Sequence, residues 1–162
     1  MSGPFAYLLT WTCYGTWLHG DRRGSVDDEH NVPGSPFLPL DRPRTNCERT
    51  RLRHAPVELD AHSREIVEET INAHCHHRGW ELMALSVRTN HVHVVVAGAE
   101  VTPDRMMGQF KSWATRRLRE AGHASANARV WSHHGSTRYL WNEQSVRNAV
   151  EYVTDYQGAD LT

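Results

Sequence analysis

The chain has 162 residues, enough to bury one core without disulfide or metal staples. It is 39% hydrophobic and 23% charged, and no apolar run approaches the roughly 20 residues of a membrane span, which excludes a helical membrane protein. The net charge of −1 does not by itself announce a nucleic-acid binder.

The N-terminus, MSGPFAYLLTW, has no basic n-region and no small-residue cleavage site, so no signal peptide is read there. Three widely spaced cysteines, Cys13, Cys47 and Cys75, form no CxxC and argue for reduced thiols in a cytoplasm. FAYLLTWTCY (Phe5 to Tyr14) is aromatic and β-branched and predicts a first strand. From His19 to about Pro56 the composition turns to Gly, Pro, Asp, Asn and Arg, which predicts a loop-rich insertion (residues 19–56) in an otherwise single domain of 162 residues. Arg42, Arg44, Arg49, Arg51 and Arg53 cluster in its second half.

A helix is predicted from VELDAHSREIVEETINAHCHHRGW, with Ile66, Val67, Thr70, Ile71 and His74 at helical spacing and Gly79 at the left-handed C′ position. His74, His76 and His77 fall in its last turn, where imidazolium meets the carbonyl end of the helix dipole. That reading is preferred to a metal cluster. WELMALSVRTN and HVHVVVAGAE read as two strands around a polar turn at Arg88–Asn90. The next helix, TPDRMMGQFKSWATRRLREAG, has Thr102 as N-cap, Pro103 at N1 and an apolar stripe of Met106, Met107, Phe110, Trp113, Ala114 and Leu118. GSTRYLW (Gly135 to Trp141) predicts a short strand, and NEQSVRNAVEYVTDYQG a final helix. The order β–α–β–β–α–β–α is that of an α+β, ferredoxin-like antiparallel sheet with an added C-terminal helix.

TNHVHVVV, Thr89 to Val96, puts two histidines on a strand that otherwise reads as core. Side chains alternate along a strand, so His91, His93 and Val95 share one face, and Val92, Val94 and Val96 pack beneath the long helices on the other. The histidines then lie roughly 7 Å apart along the backbone. Two neutral imidazoles in that arrangement can hold a divalent cation with positions left for substrate. A half-buried strand with a polar face would carry the same residues, and a bare HxH does not separate the two.

In the final helix Val146, Ala149, Val150 and Val153 form an apolar stripe at i, i+3, i+4 and i+7. At 100° per residue Tyr156 lies about 20° beyond Ala149 and Tyr152 about 120° from Val146, so Tyr156 is expected to pack and Tyr152 to keep a free hydroxyl. A phenol, with a reference pKa of about 10, attacks a phosphodiester only if a cation lowers the cost of phenolate. Histidine pair plus tyrosine is therefore a coherent set for that attack.

NHVHVVV resembles the His–hydrophobic–His signature of the HUH single-stranded DNA endonucleases, and most of the chain resembles the single-tyrosine transposases of small insertion sequences and their REP-associated relatives. The likeness runs through LTW (Leu9 to Trp11), GWEL (Gly79 to Leu82), FKSWATRRL (Phe110 to Leu118), GSTRYLW and the terminal EYV. The resemblance implies Mg2+ or Mn2+ on His91 and His93, and Tyr152 as the nucleophile that cleaves single-stranded DNA and rejoins it through a 5′-phosphotyrosine. It also implies recognition of a DNA hairpin, for which Lys111, Arg116 and Arg117 are the expected contacts. Relatives take a third metal ligand one turn after the tyrosine. Position 156 is tyrosine here, so Asp155 is the first substitute and Gln157 the second. The chain is expected to act on single-stranded DNA as a monomer or homodimer, with no membrane partner. A domesticated derivative that binds hairpins without cutting, a nuclease using metal-activated water, and a metal-independent RNA-binding module are the competing readings.

Overall fold

The computed structural model describes residues 3–16, 55–98 and 100–155. Among these residues, four strands and three helices follow in the order β1 (Ala6–Cys13), α1 (Ala61–Arg78), β2 (Glu81–Val87), β3 (His91–Ala97), α2 (Pro103–Glu120), β4 (Trp131–Leu140) and α3 (Glu143–Asp155). The strands form one antiparallel sheet in the order β2-β3-β1-β4. This is the ferredoxin-like α+β arrangement with an added C-terminal helix, as expected.

Local chemistry sets the helix ends. The Asp60 carboxylate accepts from the Ser63 N–H at 2.8 Å and opens α1, which stops at Gly79 (φ 74°), a backbone conformation glycine adopts without a Cβ clash. Thr102 accepts from the Arg105 N–H, with Pro103 at the first helical position, and opens α2. Asn142 accepts from the Ser145 N–H at 2.8 Å and opens α3.

The sheet separates two apolar clusters. On one face Leu9, Trp11, Val92, Val94 and Val96 pack against Val67, Ile71, Met106, Phe110 and Leu118 of α1 and α2. On the other, Ala6, Ala84, Val95 and Leu140 pack against Ala149 and Val153 of α3. The strict alternation of β3 thus sends even-numbered valines to one helix layer and Val95 to the other.

Two expectations need correction. β4 begins at Trp131, four residues earlier than the predicted strand, and its first half pairs with β1 across an irregularity between Trp11 and Cys13. WSHH carries no apolar alternation. The segment is held instead by pairing with β1, by the buried Trp131 and by the Lys111 ammonium, which donates to the carbonyls of Ser132 (3.1 Å) and His134 (3.5 Å). Gly135 completes the fit, because a Cβ there would lie 2.6 Å from Met107 Sδ and 2.7 Å from the Thr10 carbonyl. Second, Trp113 is not core: it is 38% exposed at the edge of the α2 stripe, with the Arg116 guanidinium 5.2 Å from its ring centre. Trp131 is buried. His74 bridges the helices by donating to Gln109 Oε1 at 2.7 Å, while His76 and His77 are exposed in the last turn of α1. The 19–56 insertion lies almost wholly outside the described residues, as do Tyr156 and Gln157.

Candidate active site

The register across the sheet builds the site. His91 stands opposite Thr12 and His93 opposite Thr10 on β1, while Ser86 of β2 flanks His93 on the other side. A row Ser86–His93–Thr10–Ser136 therefore crosses all four strands on the face that α3 partly covers. The His91 and His93 rings meet edge to face, their centres 4.9 Å apart.

α3 brings the tyrosine. Ala149 and Val153 seat the helix on Val95 and Leu140, and this fixes its rotation so that Tyr152 turns toward the histidines. The Tyr152 and His93 ring centres are 5.5 Å apart at 78°. Tyr152 is 47% exposed, so its hydroxyl is accessible to a substrate from solvent. The contact is made within one chain.

Burial sets the charge state of His93. His91 is buried and His93 partly so. Burial, then the neighbouring His91 and the Arg88 cation, hold the His93 imidazolium pKa down to about 4. His93 is therefore neutral at pH 7, the form in which an imidazole donates a lone pair to a metal. His91 Nδ1–H donates to Asn90 Oδ1 at 3.0 Å, and His93 Nδ1 is hydrogen-bonded to Thr10 Oγ1 at 2.9 Å. The donor chemistry of the two rings fits a divalent cation that keeps further positions for other ligands.

The remaining predicted residues fall elsewhere. Asp155 is exposed on α3, and among the described residues no three His, Cys, Asp or Glu side chains gather as a metal cage, so Asp155 does not complete one with the histidine pair. Lys111, Arg116 and Arg117 all lie on α2, across the sheet from the histidines. Burial and the nearby Arg129 lower the Lys111 pKa, and its ammonium is engaged with the β4 backbone. Arg116 pairs with Glu120 at 3.3 Å and Arg117 with the same carboxylate at 3.8 Å, all three side chains more than half exposed. Such exposed pairs are weak and leave both guanidinium groups available to phosphate.

Three residues escaped the sequence reading. Thr10 and Thr12 form a TxT that mirrors HxH, a period-2 signal whose meaning depends on strand register. Arg138, opposite Leu8, is exposed on the histidine side of β4, and simple alternation from Gly135 would have placed it there.

Comparison with known proteins gives the family and the fold. The family described as IS200-like transposase matches residues 49–156. Among solved structures, a REP-associated tyrosine transposase bound to a REP hairpin superposes with a TM-score of 0.51 at 12% identity, covering 94% of this chain and 66% of that one. A transposase-like protein from Deinococcus radiodurans gives a TM-score of 0.48 at 14% identity, covering 98% of this chain and 95% of that one. The chain thus spans about two thirds of the length of the REP-associated protein. No curated protein matches. With its sheet order, its histidine strand and a family match over residues 49–156, the chain belongs to the IS200-like transposases.

Proposed function

We propose that this transposase cleaves and rejoins single-stranded DNA, with Tyr152 as nucleophile and His91 and His93 as ligands of Mg2+ or Mn2+. The observation that carries the reading is the ring contact between Tyr152 and His93 on the face that also holds His91. When bound, the ion supplies Lewis-acid polarisation of the scissile phosphate. Tyr152 Oη gives up its proton to solvent and attacks phosphorus. The bond to the 3′ oxygen breaks, and that oxygen takes up a proton to leave as a free 3′-hydroxyl. The 5′-phosphotyrosine retains a phosphodiester, so attack by another 3′-hydroxyl reseals a strand and returns the phenol. The third ligand falls to Asp155 after a rearrangement of the last turn of α3, or to Gln157.

Hairpin recognition is part of the same proposal. A neighbour in fold is bound to a REP hairpin, and here Arg116 and Arg117 present two available cations on α2. Arg138 offers a further phosphate contact on the histidine side. The protein acts as a monomer or homodimer in the cytoplasm.

Incubation with hairpin-bearing single-stranded oligonucleotides and Mn2+ tests the reading on a denaturing gel. A covalent adduct that disappears in Tyr152→Phe and persists in Tyr156→Phe is expected. Loss with Tyr156→Phe alone refutes the assignment. Cleavage that survives in Tyr152→Phe points to metal-activated water, and retained hairpin binding without any adduct points to a binding protein.

A further inference from the structure

The two imidazoles are held at the same ring atom by different partners. A neutral imidazole carries one N–H and one lone pair, and the bond made by one nitrogen decides what the other can do. At His91 Nδ1 the partner is Asn90 Oδ1, which only accepts, so Nδ1 carries a proton and in the neutral ring the lone pair is at Nε2. For His93 the partner is the Thr10 hydroxyl, which can donate or accept. If Thr10 donated, the His93 lone pair would be spent at Nδ1 and Nε2 would carry a proton, a form unable to ligate through Nε2.

Thr10 and Thr12 point to the same side of β1, yet they are used differently. Thr12 donates its hydroxyl proton to Ser132 Oγ at 2.8 Å, and Ser132 donates in turn to the Cys13 carbonyl at 3.0 Å. That chain runs outward to β4 and ties the irregular start of that strand to β1. Thr10 turns the opposite way, to strand β3, where its hydroxyl meets His93 Nδ1 at 2.9 Å. Its β-branched side chain has few rotamers on a strand, so the hydroxyl is fixed against the ring rather than swept across it.

We infer that Thr10, with Asn90 as its counterpart, is a positioning residue: the two hold both imidazoles as Nδ1–H tautomers, which puts both lone pairs at Nε2 for one divalent cation. The inference rests on the proposed cation site. It adds residues that touch neither cation nor DNA and act only through the rings. Acceptors on the far nitrogen of metal-bound histidines commonly change metal affinity by about 10- to 100-fold.

The test reads the tautomers directly in metal-free protein, by long-range 1H–15N correlation of the imidazoles, with Mn2+ titration of the same samples. In the wild type both His91 and His93 give the Nδ1–H pattern. Thr10→Val, which keeps the β-branched shape and removes the hydroxyl, converts His93 to the Nε2–H form and weakens Mn2+ binding by about 10-fold or more. His91 keeps its pattern in that variant. Thr10→Ser restores both the His93 pattern and the affinity. A wild-type His93 protonated at Nε2, or a His93 pattern unchanged in Thr10→Val, overturns the inference whether or not the protein cuts DNA. If the tautomers are as stated but the wild type takes up no Mn2+, the positioning stands and the cation reading of the site fails.

Discussion

A phenol 5.5 Å from an imidazole, ring centre to ring centre, is chemically unremarkable until the second imidazole is added beside it. The three side chains come from two elements distant in sequence, and two features were legible beforehand. HxH on a strand fixed which face the rings take, and the 100° helical period separated Tyr152 from the apolar stripe. What the chain could not reveal was the pairing of Thr10 with His93, because register is a property of two strands and not of either one. Residue-level chemistry elsewhere gives its own tests. Burial pushes the Cys13 thiol up to about 12, with a smaller contribution from Glu58, and the Cys75 thiol up to about 11. Iodoacetamide at pH 8 should therefore leave both unmodified in the native protein and label both in urea; labelling of either in the folded state would contradict their burial. Hydrogen bonds from Ser63 to the Asp60 carboxylate lower its pKa in the folded state. A depressed carboxylate stabilises above the unfolded pKa of about 3.9 and ceases to do so as pH falls through the lower folded value. Asp60→Ala should accordingly lower the melting temperature at pH 7 and have little effect near pH 2. An equal loss at both pH values would rule out the carboxylate as the cap.

Among the elements, α3 matters most to the proposed function because its seat orients Tyr152, the proposed nucleophile. Ala149 and Val153 are its buried anchors, and the i, i+3, i+4, i+7 stripe had identified both. Val153→Ala should cost about 2 kcal/mol in urea denaturation and also slow adduct formation in protein that remains folded. Phe110→Ala, in the other cluster, should cost about 3–5 kcal/mol with far less effect on the adduct rate of the folded fraction. Equal kinetic effects from the two would mean that α3 has no special part in aiming Tyr152. The first half of β4 was the element least legible in sequence. Trp131 to His134 lay outside the predicted strand, and only neighbours distant in the chain, β1 and the Lys111 ammonium, make them part of it. Trp113 was misjudged for a related reason. It keeps helical spacing with Phe110 but sits at the rim of the stripe, covered by Arg116 rather than by the sheet.

At the scale of the whole molecule, the sheet divides labour. One face carries α1 and α2 over the larger core, and α2 holds Arg116 and Arg117 on its outer surface. The opposite face carries α3, the histidine pair and Arg138. A net charge of −1 hides this distribution of cations. The proposed function predicts two binding modes: hairpin contacts on α2 and single-strand contacts beside the histidines. Arg138→Ala should weaken binding of an unstructured single strand and flatten its salt dependence by about one unit of slope, while the Arg116→Ala, Arg117→Ala double variant should act mainly on a hairpin. Fluorescence anisotropy across a salt series checks this, and identical losses on both DNAs would contradict two separate surfaces. The decisive measurement is peptide mapping by mass spectrometry of the covalent protein–DNA adduct after nuclease trimming. A nucleotide phosphate on Tyr152, absent when His91 and His93 are both replaced by alanine, is the predicted result. A nucleotide on any other residue, or an adduct on Tyr152 that forms equally well without the two histidines, would contradict the account.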